Sequence, residues 1–231
     1  MTPSAALPRA GSGIPRAVEG PLAVLGLAAA APVIALSALA VAVTTGEFPF
    51  FRQDRVGRGG RSFVLWKIRT MRAAARGAAV TAGGDPRVTR MGRLLRRTKL
   101  DELPELWNIV KGEMSFVGPR PEVPRYVDAT DPLWARVLEA RPGLTDPVTL
   151  SLRNEETLLA GIEGDREAFY REFLLPYKLR GYAEYLERRT GWTDLRVLRD
   201  TVWAVVRPSR APVPAMREIV AKGLQSSQSA R

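Results

Sequence analysis

The chain has 231 residues, enough for one ordinary domain with an appendage, and carries 35 Lys and Arg against 24 Asp and Glu, a net charge of +11. So basic a surface seeks anions: nucleic acid, phosphorylated small molecules or acidic lipid headgroups. Cysteine and histidine are both absent, which excludes disulfides, thiol catalysis, serine–histidine triads and the commonest zinc ligands, but not a hard cation on carboxylate oxygens.

Residues 1–17 are rich in Pro, Gly, Ala and Ser and read as a loose tail. A charge-free stretch follows, Pro21 to Thr45, "PLAVLGLAAAAPVIALSALAVAVTT". As helix it would extend roughly 37 Å, against a hydrocarbon core of about 30 Å. It is too long for the apolar core of a signal peptide, although "ALA" at 38–40 mimics a cleavage site. Both flanks are basic, with Arg9 and Arg16 before it and Arg52, Arg55, Arg58 and Arg61 after it, so the positive-inside rule gives no orientation. Pro32 sits near the middle and removes a helical hydrogen bond. A segment that bends there and returns would put both flanks on one side; a proline-kinked spanning helix is the alternative, and the residues alone leave the two open.

From Glu47 onward the chain is soluble in character. "RSFVLWKIRTM", 61–71, partly alternates and reads as a strand bearing Lys67 and Arg69. A Gly-, Ala- and Arg-rich stretch then leads to a Gly83-Gly84-Asp85-Pro86 turn. "TRMGRLLRRTKL", 89–100, is a basic helix, and Asp101 stands where the next helix would take its N-cap, with Gly112 as its stop. Residues 165–189 and 192–206 read as helices. On the second, Leu195, Leu198, Val202 and Val205 share a face beside Trp192 and Trp203, which suits either a membrane surface or the domain core. The region after Pro214 reads as a disordered tail.

The adjacent carboxylates Asp101 and Glu102 have two readings. A helix cap alone would justify Asp101, gaining about 0.3–1 kcal/mol from the helix dipole. Yet Arg87, Arg90, Arg93, Arg96, Arg97, Lys99, Lys111 and Arg120 surround the pair in sequence, far more cation than a cap requires. Cationic clusters with a carboxylate pair and a divalent ion suit phosphoryl transfer, in which an Asp can attack phosphorus. In "VGPRP", 117–121, two prolines stiffen the backbone around Arg120 and would present its guanidinium as a bidentate phosphate clamp. An ordinary proline turn with a solvated Arg is the plainer reading.

"FPFFRQDRVGRGGRSFVLWKIRTMR" (48–72), "DPRVTRMGRLLRRTKLDELPELWNIVKGEMSFVGPRPE" (85–122) and "RPGLTD" (141–146) together resemble the bacterial sugar transferase family, monotopic phosphoglycosyl transferases acting on polyprenyl phosphate. The likeness runs over roughly residues 18–205 in order. It implies a helix-rich α/β catalytic domain at 47–208, between a re-entrant, proline-broken membrane helix at 18–46 and a flexible tail at 209–231, with amphipathic surface helices. The implied setting is the cytoplasmic face of the bacterial inner membrane. The implied reaction moves a sugar 1-phosphate from a UDP-sugar, bound with Mg²⁺, onto undecaprenyl phosphate, releasing UMP through a phosphosugar–aspartyl intermediate. Membrane lipid and downstream glycosyltransferases are the implied partners, and nucleic acid is not among them. Asp101 matches the family's nucleophile, and Glu102 its metal-coordinating partner; the two carboxylates together are the expected metal site. Lys67, Arg69, Arg87, Arg96, Arg120 and Arg141 fall in family motifs and are expected at phosphate and nucleotide. Pro32, Gly118, Pro119 and Pro121 match structural positions.

Two departures stand out. The family breaks its membrane helix at a Ser-Pro pair, and here the pair is Ala31-Pro32, so the serine's back-bond is missing. After "RPGLT" this chain continues "DPVTLSLRNEE", 146–156, resembling a subgroup with Arg-Asn-Glu-Glu in a region that helps set the choice of sugar. A basic membrane-tethered nucleic-acid-binding protein would need neither the acidic pair nor Pro32, and the chain shows no stacking motif. A silent scaffold would have no use for Asp101 and Glu102.

Overall fold

The computed structural model of the protein describes residues 11–72, 81–207 and 214–229. The Ala-rich stretch 73–80 and the outermost ends of both tails lie outside them. The helix-rich α/β expectation holds. Among the described residues there are ten α-helices and two small sheets: an antiparallel hairpin of β1 (Phe50–Val56) and β2 (Ser62–Ile68), and a parallel pair of β3 (Ser115–Val117) and β4 (Gly143–Thr145).

Helix α1 runs from Arg16 to Thr45, taking in Pro21 and Pro32, and ends where Gly46 adopts a left-handed conformation (φ 68°). It is long and apolar enough to cross a membrane, yet both its halves touch the same domain. Near its start Ala23 packs with Phe63, Leu106 and Ile109; near its end Val41 packs with Ile68 and Leu95. Its first turn is also pinned by polar bonds. Glu19, buried, accepts from the Phe116 amide at 3.0 Å and the Ser115 hydroxyl at 3.1 Å, while Arg16 donates to the Val110 carbonyl at 2.8 Å. The face turned away exposes Leu25, Leu36, Leu39 and Val43. Residues 11–15, expected in a loose tail, are tied down as well: the Gly11 amide donates to Leu186 and that of Ile14 to Asp194.

Helix α2 (Arg90–Thr98) is capped by the Thr89 hydroxyl, which accepts from the Gly92 amide, and it crosses β2's exit so closely that a Cβ on Gly92 would lie 2.0 Å from the Thr70 carbonyl. Next come α3 (Glu105–Lys111), closed by left-handed Gly112 as expected, then α4 (Pro132–Val137), α5 (Pro147–Ser151) and α6 (Glu155–Ala160). Residues 165–189 are helical but not uniform: α7 (Arg166–Phe169) passes through a π-helical turn at Tyr170–Leu174 into α8 (Leu175–Glu187). Helix α9 (Gly191–Val206) opens with a capping box between Thr190 and Thr193. It buries Val197 and Asp194 against the domain and leaves Trp192, Leu195, Val202, Trp203 and Val206 exposed. Helix α9 thus packs one face on the domain, as the core reading expects, and presents an apolar face outward.

Where a disordered tail was expected, residues Met216–Ser229 form a further helix, α10. Ile219 has no exposed surface and joins the main core with Tyr170, Leu174 and Tyr182, while Gly223 lets the helix approach Phe173, where a Cβ would stand 2.9 Å from its Cα. Burial outweighs the polar composition that made the segment look disordered. Ile219→Ala is therefore expected to cost about 2–5 kcal/mol, the range for deleting a fully buried large aliphatic side chain, measured by urea unfolding; a change under about 0.5 kcal/mol, as at an exposed position, would mean α10 is not docked.

Candidate active site

The acidic pair does not cap a helix. Lys99 closes α2 in the left-handed conformation (φ 58°), the one positive φ at a non-glycine among the described residues, and throws the chain into a single 3₁₀ turn at Leu100–Glu102. Pro104, not Asp101, precedes the first residue of α3. Left-handed backbone at Lys costs free energy unless its surroundings hold it. Here Leu100 packs against the Val41, Ile68 and Leu95 cluster and anchors the turn.

Asp101 is 7% exposed, and its Oδ1 is buried without a hydrogen-bond partner. Around Glu102 the chain assembles cations from three elements. Lys67 of β2 places Nζ 3.0 Å from Glu102 Oε1 and 3.1 Å from Glu105 Oε1, Lys99 lies 3.9 Å from Glu102 Oε1, and Arg120 makes a short ion pair with the same oxygen. Burial would raise the Glu102 carboxyl, but Arg120, Lys67 and Lys99 overcome it and hold it well below its ordinary range. Arg120 is correspondingly raised, chiefly by Glu102. Asp101 goes the other way: burial, then the charge of Glu102, pushes its carboxyl up, and burial does the same to Glu105. The pair is thus split into a firmly ionised Glu102 and a poised Asp101.

Arg120 is placed by backbone. The Gly118 amide donates to Thr145 at 3.0 Å, the Gly143 amide to Pro119 at 2.9 Å, and Arg55 donates to the Pro121 carbonyl at 2.8 Å. Glycine is required at the crossing, since a Cβ on Gly143 would stand 2.1 Å from the Gly118 nitrogen. Pro119 and Pro121 are buried on either side.

The remaining expected phosphate ligands divide. Arg96 reaches Thr70 (2.9 Å) and pairs with Glu156, and its charge is felt at Asp101. Arg69 donates to the Phe48 carbonyl at 2.7 Å and that of Phe50 at 3.3 Å, tying the end of β2 to the start of β1. Arg87 forms a two-pronged pair with Asp85 (2.6 Å at its closest) in the turn before α2. Arg141 lines a different cleft, with Arg58, Glu139 and Arg189, whose walls include neither Asp101 nor Glu102. Pro32 lies within α1, at an exposed position. The sequence offered Lys99 only as one of the cations around the pair, and it gave Glu105 and Arg55 no role at the site. Only Lys99 carried a local signal, its adjacency to the pair; Glu105 and Arg55 enter through folding.

The chemistry of the acidic pair fits a divalent cation. No group of three or more acidic residues among the described residues forms a metal cage, but Mg²⁺ commonly takes one or two carboxylates and completes its shell with water and substrate phosphate. The Asp101 carboxylate and Glu102 Oε2, which none of the three Glu102 ion pairs uses, supply the hard oxygen donors this requires.

The family model for bacterial sugar transferases matches residues 12–208. The UDP-glucose:undecaprenyl-phosphate glucose-1-phosphate transferase of Caulobacter vibrioides is 34% identical over 217 residues, covering 91% of this chain and 77% of that protein. A putative undecaprenyl-phosphate N-acetylgalactosaminyl 1-phosphate transferase of Bacillus subtilis is 44% identical over 117 residues, 50% of this chain and 65% of that one. The UDP-glucose:undecaprenyl-phosphate glucose-1-phosphate transferase of Escherichia coli is 31% identical over 193 residues, covering 81% of this chain but 39% of its own. The chain thus spans most of the first relative, just under two thirds of the second and well under half of the third. With a match over most of its length and the Asp101–Glu102 turn set among cations, the chain belongs to the bacterial sugar transferase family and is a phosphoglycosyl transferase.

Proposed function

We propose that this protein transfers a sugar 1-phosphate from a UDP-sugar to undecaprenyl phosphate and releases UMP, through a covalent intermediate on Asp101. The observation that carries the reading is the buried, unpartnered Asp101 Oδ1 beside a Glu102 already neutralised by Lys67, Lys99 and Arg120. An oxygen so placed is desolvated without being tied up in a bond, as a nucleophile requires. Asp101 Oδ1 attacks the β-phosphorus; the new O–P bond forms as the bond to the bridging oxygen breaks, and UMP leaves with that electron pair. A phosphate oxygen of undecaprenyl phosphate then attacks the same phosphorus and restores the Asp101 carboxylate. Arg120 and Lys67 offset the charge that builds on the phosphoryl oxygens. Mg²⁺, held by Asp101 and Glu102, would neutralise the pyrophosphate. The product fits the first membrane step of a bacterial glycoconjugate pathway.

The test is UMP release from a panel of UDP-sugars with Mg²⁺ and undecaprenyl phosphate, with glucose, galactose and N-acetylgalactosamine included because the relatives' names carry them. Release is expected from at least one, stopped by chelation of Mg²⁺ and restored by its return. No release from any sugar would overturn the reading.

We propose further that α1 enters and leaves the membrane on the cytoplasmic face. The support is that Ala23 and Val41, at opposite ends of about 27 Å of helix, both pack on the catalytic domain, with basic flanks on both sides. The exposed apolar faces of α1 and α9 suit that setting. Ser12→Cys and Arg61→Cys, both at exposed positions flanking α1, should label with a membrane-impermeant maleimide from the same side in oriented vesicles. Labelling from opposite sides would show a spanning helix.

A further inference from the structure

A buried cluster of charge lies behind Arg120, and the transfer chemistry does not use it. Glu122, 6% exposed, and Lys178, 4% exposed, form its centre. Lys178 Nζ stands 3.6 Å from Glu122 and 3.2 Å from Glu155, and it donates to the Tyr170 hydroxyl at 3.3 Å. That hydroxyl in turn makes a short bond to Glu122. Arg55 lies 3.7 Å from the other Glu122 oxygen. Burying ions costs several kcal/mol each, and apolar side chains would serve packing equally well, so such a cluster is poorly explained as a source of stability.

Its contacts share one destination. Arg55 holds the Pro121 carbonyl, the Val56 amide donates to the Glu122 carbonyl at 2.9 Å, and Tyr170 and Lys178 hold the Glu122 carboxylate. Residues 121 and 122 are therefore fixed through both backbone and side chain directly after Arg120, whose guanidinium pairs with Glu102.

The π-helical turn supplies the geometry. Eight residues of regular α-helix would leave Tyr170 and Lys178 about 80° apart around the axis. One extra residue in the turn Tyr170–Leu174 removes about 100°, bringing them within about 20° of each other, both toward Glu122. The cluster also reaches the Arg153-Asn154-Glu155-Glu156 stretch: Glu155 binds Lys178, while Glu156 pairs with Arg96 and accepts the Gly83 amide at 2.6 Å through its carbonyl.

We propose that Lys178, acting with Tyr170 through Glu122, is a positioning residue for Arg120, and that Glu155 and Glu156 brace this arrangement against α8 and α2. The proposal rests on the transferase reading above. Lys178 touches no reacting atom; it sets the register of the segment that presents the phosphate clamp.

The experiment uses the full chain in detergent or nanodiscs with Lys178→Met and Tyr170→Phe. It measures kcat and KM for UMP release, amide hydrogen exchange over residues 117–123, and the thermal midpoint. Lys178→Met is expected to lower kcat on the order of 10²-fold, as a displacement of about 1 Å in a positioned group does, with KM near wild type and faster exchange at 117–123. Tyr170→Phe, which removes one hydroxyl and keeps the ring beside Tyr126, should shift the same readouts in the same direction by less, and it decides the matter if Lys178→Met fails to fold. A lower midpoint with unchanged kcat and unchanged exchange at 117–123 would show a merely structural cluster and overturn the proposal. Wild type releasing no UMP would instead refute the transferase reading; the exchange measurement then judges the brace alone, and unaltered exchange overturns it.

Discussion

Asp101→Asn should leave a folded protein that releases UMP on the order of 10⁴–10⁶-fold more slowly than wild type, the scale of loss when a nucleophile or its essential partner is removed. The amide keeps the shape of the side chain, and no hydrogen bond to Oδ1 is lost because none is made. Thermal unfolding should therefore change little while turnover collapses, and a labelled sugar phosphate should no longer be trapped on the protein. Wild-type turnover in the variant would remove Asp101 from the chemistry. The pH profile adds a signed check. Only the ionised carboxylate attacks, and burial together with the Glu102 charge lifts Asp101 above its ordinary value. Activity should thus fall as pH drops through a point higher than the usual carboxylate value of about 3.9, seen as the acid limb of kcat/KM.

Glu102→Gln should cost both stability and turnover. The carboxylate is the shared counterion of Lys67, Lys99 and Arg120, and removing one partner of a buried ionic group leaves uncompensated charge, a loss of about 3–5 kcal/mol. Urea unfolding at neutral pH reads it directly. The pH dependence has a definite sign. Glu102 titrates well below its ordinary value in the folded state, so its contribution is complete above the unfolded value of about 4.3 and disappears as pH falls toward the folded one. The gap between wild type and variant should close in acid. A gap independent of pH would mean that the ion pairs are not its source.

How much of this was legible along the chain depends on how far each residue's partner lies. The strand read at 61–71 appears at 62–68, the basic helix read at 89–100 runs 90–98, and the helix read at 192–206 runs 191–206. These follow from spacing, capping hydroxyls and glycine stops, all interactions within four residues. Asp101 as a helix N-cap failed because that rule is also local. Lys99 had already turned left-handed, and packing of Leu100 against α1 and β2 decided the conformation of the next three residues. Arg69, Arg87 and Arg141 belong to recognisable motifs, but motif membership does not say where a long side chain ends. One finds a backbone carbonyl, one a neighbouring Asp, and one another cleft.

By itself the sequence determined the chemical kit. The absence of His and Cys left carboxylates and cations as the reactive groups, the charge-free stretch of 25 residues required an apolar setting, and the order of motifs marked the family. Tertiary structure alone decided how the kit is assembled. Lys67 meets Glu102 across 35 residues, Arg120 across 18, and Lys178 meets Glu122 across 56. It also folded 216–229 onto the core and brought both ends of α1 to one domain. The physical reason is range. Propensity and capping act over a turn of backbone, whereas the splitting of Asp101 from Glu102 comes from desolvation and Coulomb interactions, which exist only once distant segments have met and excluded water from one site.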